Sequence, residues 1–186
     1  MCYFNGHVID LGKVDEQALA VLTDKVLSNA ELWDVENKKK QNKLECLTET
    51  RHIIFQFPAS LQDHKVSNYT PLWDEWKTVL EPVIEGVTRR YPFKDGKTAR
   101  IMLANIVPGG VIGKHIDEYP AADIPHKIHV PIQTDESVYF IEEDSAYYLQ
   151  RGNAYEVNNK VMHGVMNKSE NERIHLIFDY YDAAVS

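Results

Sequence analysis

Near Thr98 the spacing of the apolar residues changes from a helical period to a period of two, and this change constrains the fold more than any other feature. Alternating runs follow at 99–105, 127–133, 138–142, 147–150, 154–157 and 173–181. Alternation sends successive side chains to opposite faces, as a strand does. The runs are separated by Pro108-Gly109-Gly110, Thr134-Asp135-Glu136, Glu143-Asp144, Arg151-Gly152-Asn153 and Asn158-Asn159, all turn-forming combinations. Many short strands with regular turns predict a sandwich or barrel.

Before Thr98, residues 14–29 predict an amphipathic helix with Ala18, Val21, Leu22, Val26 and Leu27 on one face. Residues 31–43 are polar, end in a lysine-rich run and read as a loop. Residues 53–57 read as a short strand stopped by Pro58. Tyr69-Thr70-Pro71 opens a second helix, with Thr70 as N-cap and Pro71 at the first helical position. It carries Trp73, Trp76, Leu80, Val83, Ile84 and Val87 to about Tyr91, and Pro92 ends it. The expectation is a mainly β fold with N-terminal helices, a double-stranded β-helix (jelly roll, cupin-like). At 186 residues it forms one domain, with a helical N-terminal part over 1–95 packed on a barrel core over 96–186.

Composition narrows the function classes. A net charge of -8 argues against broad binding to nucleic acid, and Lys38-Lys39-Lys40 reads as a solvated charge run. No apolar window approaches the roughly 18 residues of a membrane span. The start, Met-Cys-Tyr-Phe-Asn-Gly-His, lacks a basic region followed by an apolar stretch, so no secretory leader is expected. Cys2 and Cys46 cannot build a disulfide framework and form no Cys-x-x-Cys pair. A reducing, cytoplasmic setting is expected.

The barrel half holds His115-Ile116-Asp117, then His163, then Arg173. Two residues apart on a strand, His115 and Asp117 point the same way and reach one metal. With His163 they make the two-histidine, one-carboxylate ligand mix of a non-haem Fe(II) oxygenase, which leaves coordination positions open. Structural zinc prefers cysteine-rich, closed sites, although a catalytic zinc stays open on these ligands. Arg173, His175, Ile177 and Asp179 share one face of the last strand. Arg173 offers a fork suited to a carboxylate, unless Glu172 or Asp179 pairs with it instead. Lys127 and His129 share a face and are candidates for the other end of the same dicarboxylate, whereas His126 falls on the opposite face.

These residues sit in longer motifs: Val107-Pro108-Gly109-Gly110, His115-Ile116-Asp117, Lys127-Ile128-His129, Gly152 through Asn159, His163-Gly164-Val165, and Glu172 through Asp179. With them, residues 101–181 resemble the aspartyl/asparaginyl β-hydroxylase family of Fe(II)/2-oxoglutarate oxygenases, which includes proline 3-hydroxylase-like enzymes. The resemblance implies that His115, Asp117 and His163 hold iron and that Arg173 holds the distal carboxylate of 2-oxoglutarate. It implies that His129 attends the co-substrate carboxylate and that Lys127 stands where an arginine often lies near co-substrate or substrate. Two departures stand out. The animal peptidyl hydroxylase of the family lacks the acidic ligand that Asp117 supplies here. Where that enzyme has a co-substrate serine this chain has Ala104, and His175, on the face of Arg173, is the candidate replacement.

The resemblance implies a dioxygenase using Fe(II), 2-oxoglutarate and O2 to hydroxylate an unactivated C–H. An Asp or Asn residue in a peptide or protein is the favoured substrate, and a free amino acid (proline-type) the alternative. Tyr119, Pro120 and residues 121–125 border the entrance in this reading, with Trp73 and Trp76 as further candidates. Two other classes stay open: a non-catalytic cupin-like module that binds metal and 2-oxoglutarate, and a cupin-type isomerase or hydrolase that needs no dicarboxylate anchor.

Overall fold

The computed structural model describes residues 7–39 and 49–185, so Cys2, Cys46 and Lys40 lie outside the described residues. In chain order the elements are β1 (Ile9–Lys13), α1 (Glu16–Leu27), α2 (Ala30–Asn37), β2 (Thr50–Ser60), β3 (Asp63–Tyr69), α3 (Trp73–Thr88), β4 (Gly96–Ile106) and β5 (Val111–His115). A 3-10 turn (Pro120–Ala122) precedes β6 (His126–Gln133), β7 (Val138–Glu142), β8 (Ser145–Tyr147), β9 (Asn153–Val157), β10 (His163–Asn167) and β11 (Arg173–Asp182). The larger sheet runs β1-β9-β6-β11-β4-β2-β3 and the smaller β5-β10-β7-β8. The four strands β9-β6-β11-β4 face the smaller sheet, and this pair of sheets is the double-stranded β-helix that the period of two predicts.

Each face of the larger sheet has its own core. Ile101, Leu103, Ile128, Val130, Ile174, Leu176 and Phe178 point away from the smaller sheet and pack with Leu19, Leu22 and Val26 of α1 and Trp76, Leu80 and Val83 of α3. Between the sheets, Ile106, Tyr155 and Val157 meet Val138, Phe140 and Val165. The barrel side of β4, β6 and β11 also carries Arg100, Lys127, His129, Arg173, His175 and Asp179, set among Met102, Ala104, Pro131 and Ile177. The sheet thus has an apolar helix side and a barrel side of mixed polarity.

The first half corrects the expectation of a helical 1–95 part. It also supplies three strands, with β1 paired to β9, and β2 and β3 extending the edge at β4. β3 is an edge strand in which only His64 is buried, so it shows no apolar alternation. β2 runs on through Pro58 because its pairing with β4 ends at Gln56, beyond which a missing N–H breaks no bond to that strand. The polar 31–43 stretch contains α2, anchored by one buried side chain, Trp33. Asp15 caps α1 by accepting from the Ala18 N–H at 2.8 Å. The helix faces the core with Leu19, Leu22 and Val26, while Val21 and Leu27 are half exposed. Thr70 does not cap α3 through its side chain: its hydroxyl donates to the Ile54 carbonyl at 2.8 Å, and the helix begins at Trp73.

Candidate metal and co-substrate site

β5 ends at His115 and β10 begins at His163, and the two histidines are register partners. Gly164 allows this approach. A Cβ there would lie 2.6 Å from the Ile112 carbonyl oxygen, so Gly164→Ala forces β5 away from β10. A loss of about 1–3 kcal/mol is expected in urea denaturation, with weakened metal binding as the companion readout.

Asp117 lies two residues past the end of β5, in contrast to the expected position within the strand. Its N–H donates to the Asn159 carbonyl at 3.1 Å, which fastens it to the turn before β10. The ligand atoms of His115, Asp117 and His163 all fall within 4.8 Å of one another. His115 Nδ1 bonds the Gly113 carbonyl at 2.9 Å and His163 Nδ1 bonds the Val161 carbonyl at 3.0 Å. A carbonyl only accepts, so each Nδ1 carries the proton and each Nε2 keeps a bare lone pair, the form that ligates a metal. Burial pushes His163 below the ordinary histidine range, which favours the same neutral ring. The donor set is the two-histidine, one-carboxylate mix of a facial triad.

Burial alone would raise the Asp117 carboxyl, but the Lys127 ammonium overrides it and, with His163 and Arg100, holds it down at about 2. Lys127 Nζ lies 3.2 Å from Asp117 Oδ2 and 3.3 Å from Asp179 Oδ1. Arg100 Nε lies 3.4 Å from the other Asp179 oxygen, and its Nη2 donates to the Tyr119 hydroxyl at 2.6 Å. Lys127, expected as a contact for the co-substrate, thus pairs with Asp117 and with Asp179, which lies six residues along β11 from Arg173.

Arg173 is 2% exposed and has no carboxylate partner among the described residues. Both competitors for it are occupied elsewhere. Glu172 pairs with Arg51 and accepts from Asn105 at 2.9 Å, and Asp179 is taken by Lys127 and Arg100. Burial alone pushes Arg173 down to about 9. An unpaired buried guanidinium is costly, and it asks for an anion. Arg173 and His175 line a narrow pocket with Thr134, Val138, Phe140, Leu149 and Val165.

His175 stands opposite Ala104 across β4 and β11, and neither ring nitrogen has a hydrogen-bond partner among the described residues. His129 meets the His175 ring edge-on at 5.6 Å and Phe140 at 5.9 Å, and Phe140 in turn stacks on His163. Ring contacts therefore run from His175 through His129 and Phe140 to His163, from beside Arg173 to the triad. Burial, reinforced by Arg173, holds His129 and His175 well below 6.5, so both rings stay neutral in the fold. Released on unfolding, they bind protons that the native state does not. Stability therefore falls as pH drops below about 6.5, and the urea midpoint is expected to be lower near pH 5 than near pH 7.5. His175→Leu should flatten that slope.

The loop after Asp117 is fastened to the turn before β10. Asn159 Nδ2 donates to the Ala122 carbonyl at 3.2 Å, and Lys160 Nζ to the Asp117 carbonyl at 2.9 Å. Trp73 and Trp76 do not border the triad. Trp76 is fully buried against Phe55 on the helix side of the sheet, and Trp73 stacks on Tyr69. Arg100 escaped the sequence reading, although a charge inside the apolar run Ala99–Asn105 was a visible signal.

A family model for aspartyl/asparaginyl β-hydroxylases matches residues 82–183. No curated protein matches the chain by sequence. Solved structures with a similar fold include an oxidoreductase of the 2OG-Fe(II) oxygenase family from Burkholderia pseudomallei, at 12% identity and TM-score 0.56, covering 91% of this chain and 93% of that one. A Pseudomonas putida prolyl-4-hydroxylase gives 12% identity and TM-score 0.55, covering 96% and 94%. A viral collagen prolyl hydroxylase from Paramecium Bursaria Chlorella virus-1, solved with 2OG, gives 12% identity and TM-score 0.53, covering 96% and 98%. At this identity the three structures establish the shared fold.

Proposed function

We propose, for a chain that belongs to the aspartyl/asparaginyl β-hydroxylase family, that His115, Asp117 and His163 hold the iron and that Arg173 anchors 2-oxoglutarate. The family makes the protein an Fe(II)- and 2-oxoglutarate-dependent hydroxylase that consumes O2. Among the described residues no helix is long and apolar enough to cross a membrane. The paucity of cysteine favours a cytoplasmic setting.

One observation supports the site assignment: Arg173 is buried without a carboxylate partner among the described residues, at the end of a run of ring contacts that leads to the triad. The Fe(II) centre with 2-oxoglutarate supplies oxygen activation, coupling decarboxylation of the co-substrate to succinate and carbon dioxide with insertion of one oxygen atom into a C–H bond. Arg173 gives the distal carboxylate a charge-assisted fork. His175, in the space left by Ala104, adds a neutral N–H donor beside it, and His129 continues the polar lining toward the iron. Val138, Phe140, Leu149 and Val165 exclude water and so strengthen the anion–guanidinium contact. The loop carrying Tyr119 and Ala122 borders the substrate entrance.

For the substrate we favour an Asp or Asn side chain in a peptide or protein, following the family. The test is substrate-dependent succinate formation over a panel of Asp- and Asn-containing peptides alongside free proline and other amino acids. Turnover on peptides supports the reading. Turnover confined to a free amino acid moves it to the proline-type alternative. Tight binding of metal and 2-oxoglutarate, with no succinate from any substrate, favours a non-catalytic module.

A further inference from the structure

The two oxygens of Asp117 have different surroundings. Oδ1 faces the triad, 3.6 Å from His115 Nε2. Oδ2 faces away, 3.2 Å from Lys127 Nζ and 3.5 Å from Asn159 Nδ2. Lys127 is fixed from behind, because Asp179 takes its second contact and Arg100 balances Asp179. The result is a row of alternating charge, Asp117–Lys127–Asp179–Arg100, crossing β6, β11 and β4 with its last three members buried. Such a row is a poor device for stability, since apolar residues in the same volume do as well or better. What it accomplishes here is to occupy one oxygen of a candidate metal ligand.

We propose that Lys127 is a positioning residue that makes Asp117 a one-oxygen ligand, keeping Oδ2 off the metal and a coordination position free for the keto-acid end of 2-oxoglutarate. This rests on the triad reading above. Without Lys127 the carboxylate can turn its second oxygen onto the metal and compete for that position. Metal affinity itself is a poor reporter, because losing the orientation weakens binding while losing a nearby positive charge strengthens it. Binding of 2-oxoglutarate and the coordination spectrum are the informative readouts.

The experiment uses the protein loaded with Co(II), whose visible spectrum reports coordination number, titrated with 2-oxoglutarate. Lys127→Met is expected to change the Co(II) spectrum and weaken 2-oxoglutarate binding about tenfold or more. Lys127→Arg, which can still donate to both carboxylates, is expected to restore both. Thermal melts identify a variant that does not fold. Lys127→Gln then replaces Lys127→Met, with the same direction and a smaller effect expected. A folded Lys127→Met or Lys127→Gln protein with the wild-type spectrum and wild-type 2-oxoglutarate affinity overturns the proposal. If Asp117→Ala also leaves the Co(II) spectrum unchanged, the triad reading itself falls, so the two failures are distinguishable.

Discussion

Arg173→Met should yield an apo-protein more stable than the wild type that needs about 100-fold more 2-oxoglutarate for half-maximal activity. Both effects have one cause. Arg173 is buried, no carboxylate among the described residues pairs with it, and burial alone depresses its ionisation. At neutral pH the guanidinium is charged in both folded and unfolded chains, so the penalty for burying it is present in full. An unbranched apolar side chain removes that penalty, and exchanges of this kind for buried ions are neutral or stabilising by about 1–4 kcal/mol. The same change strips the co-substrate of its charged anchor, a loss of roughly 2–5 kcal/mol in comparable buried pairs. Thermal melts with and without 2-oxoglutarate separate the two effects. Wild type should be stabilised by the dicarboxylate and Arg173→Met should not. A variant that is destabilised yet keeps wild-type 2-oxoglutarate dependence would show that Arg173 has a structural partner instead.

Asp117→Ala should lower turnover by roughly three orders of magnitude, the scale of several kcal/mol of lost metal function. The carboxylate is kept charged by Lys127 despite its burial, so it is ready as a ligand at any pH above its depressed value of about 2. Removing it leaves two histidines, and Lys127 keeps Asp179 as its partner. The fold should therefore survive, and circular dichroism can establish this before rates are measured. The outcome is informative because Asp117 is both the carboxylate of the cluster and a partner of Lys127. Wild-type rates in Asp117→Ala would mean that the metal is held without it and that Asp117 serves only to pair with Lys127.

Different kinds of residue explain what was legible in the sequence. β4, β6, β7, β9 and β11 are core strands whose alternation is written in apolar residues, and each lies near its expected place. Arg173 was readable for a similar reason, since a strict alternation assigns it a face before any partner is known. β1 and β3 were not readable. They lie at the sheet's edges, and Gly12 at φ 86 interrupts the first while polar residues fill the second. Lys127 shows a subtler limit. Its strand and face follow from the alternation, but its partners Asp117 and Asp179 come from two other parts of the chain. Only the folded register of β6 against β11, with the loop after β5, reveals which acid it meets. The joining of His115 to His163 by β-pairing, with Gly164 permitting it, is likewise a property of tertiary contact.

If one centre binds metal and 2-oxoglutarate together, an anaerobic titration of the apo-protein with Fe(II) and 2-oxoglutarate develops the visible charge-transfer band of an iron-chelated keto acid. The band is expected in wild type, is absent in His163→Ala and needs far more 2-oxoglutarate to develop in Arg173→Met. Well-folded, iron-loaded protein that shows no band at any 2-oxoglutarate concentration would contradict joint binding at one centre.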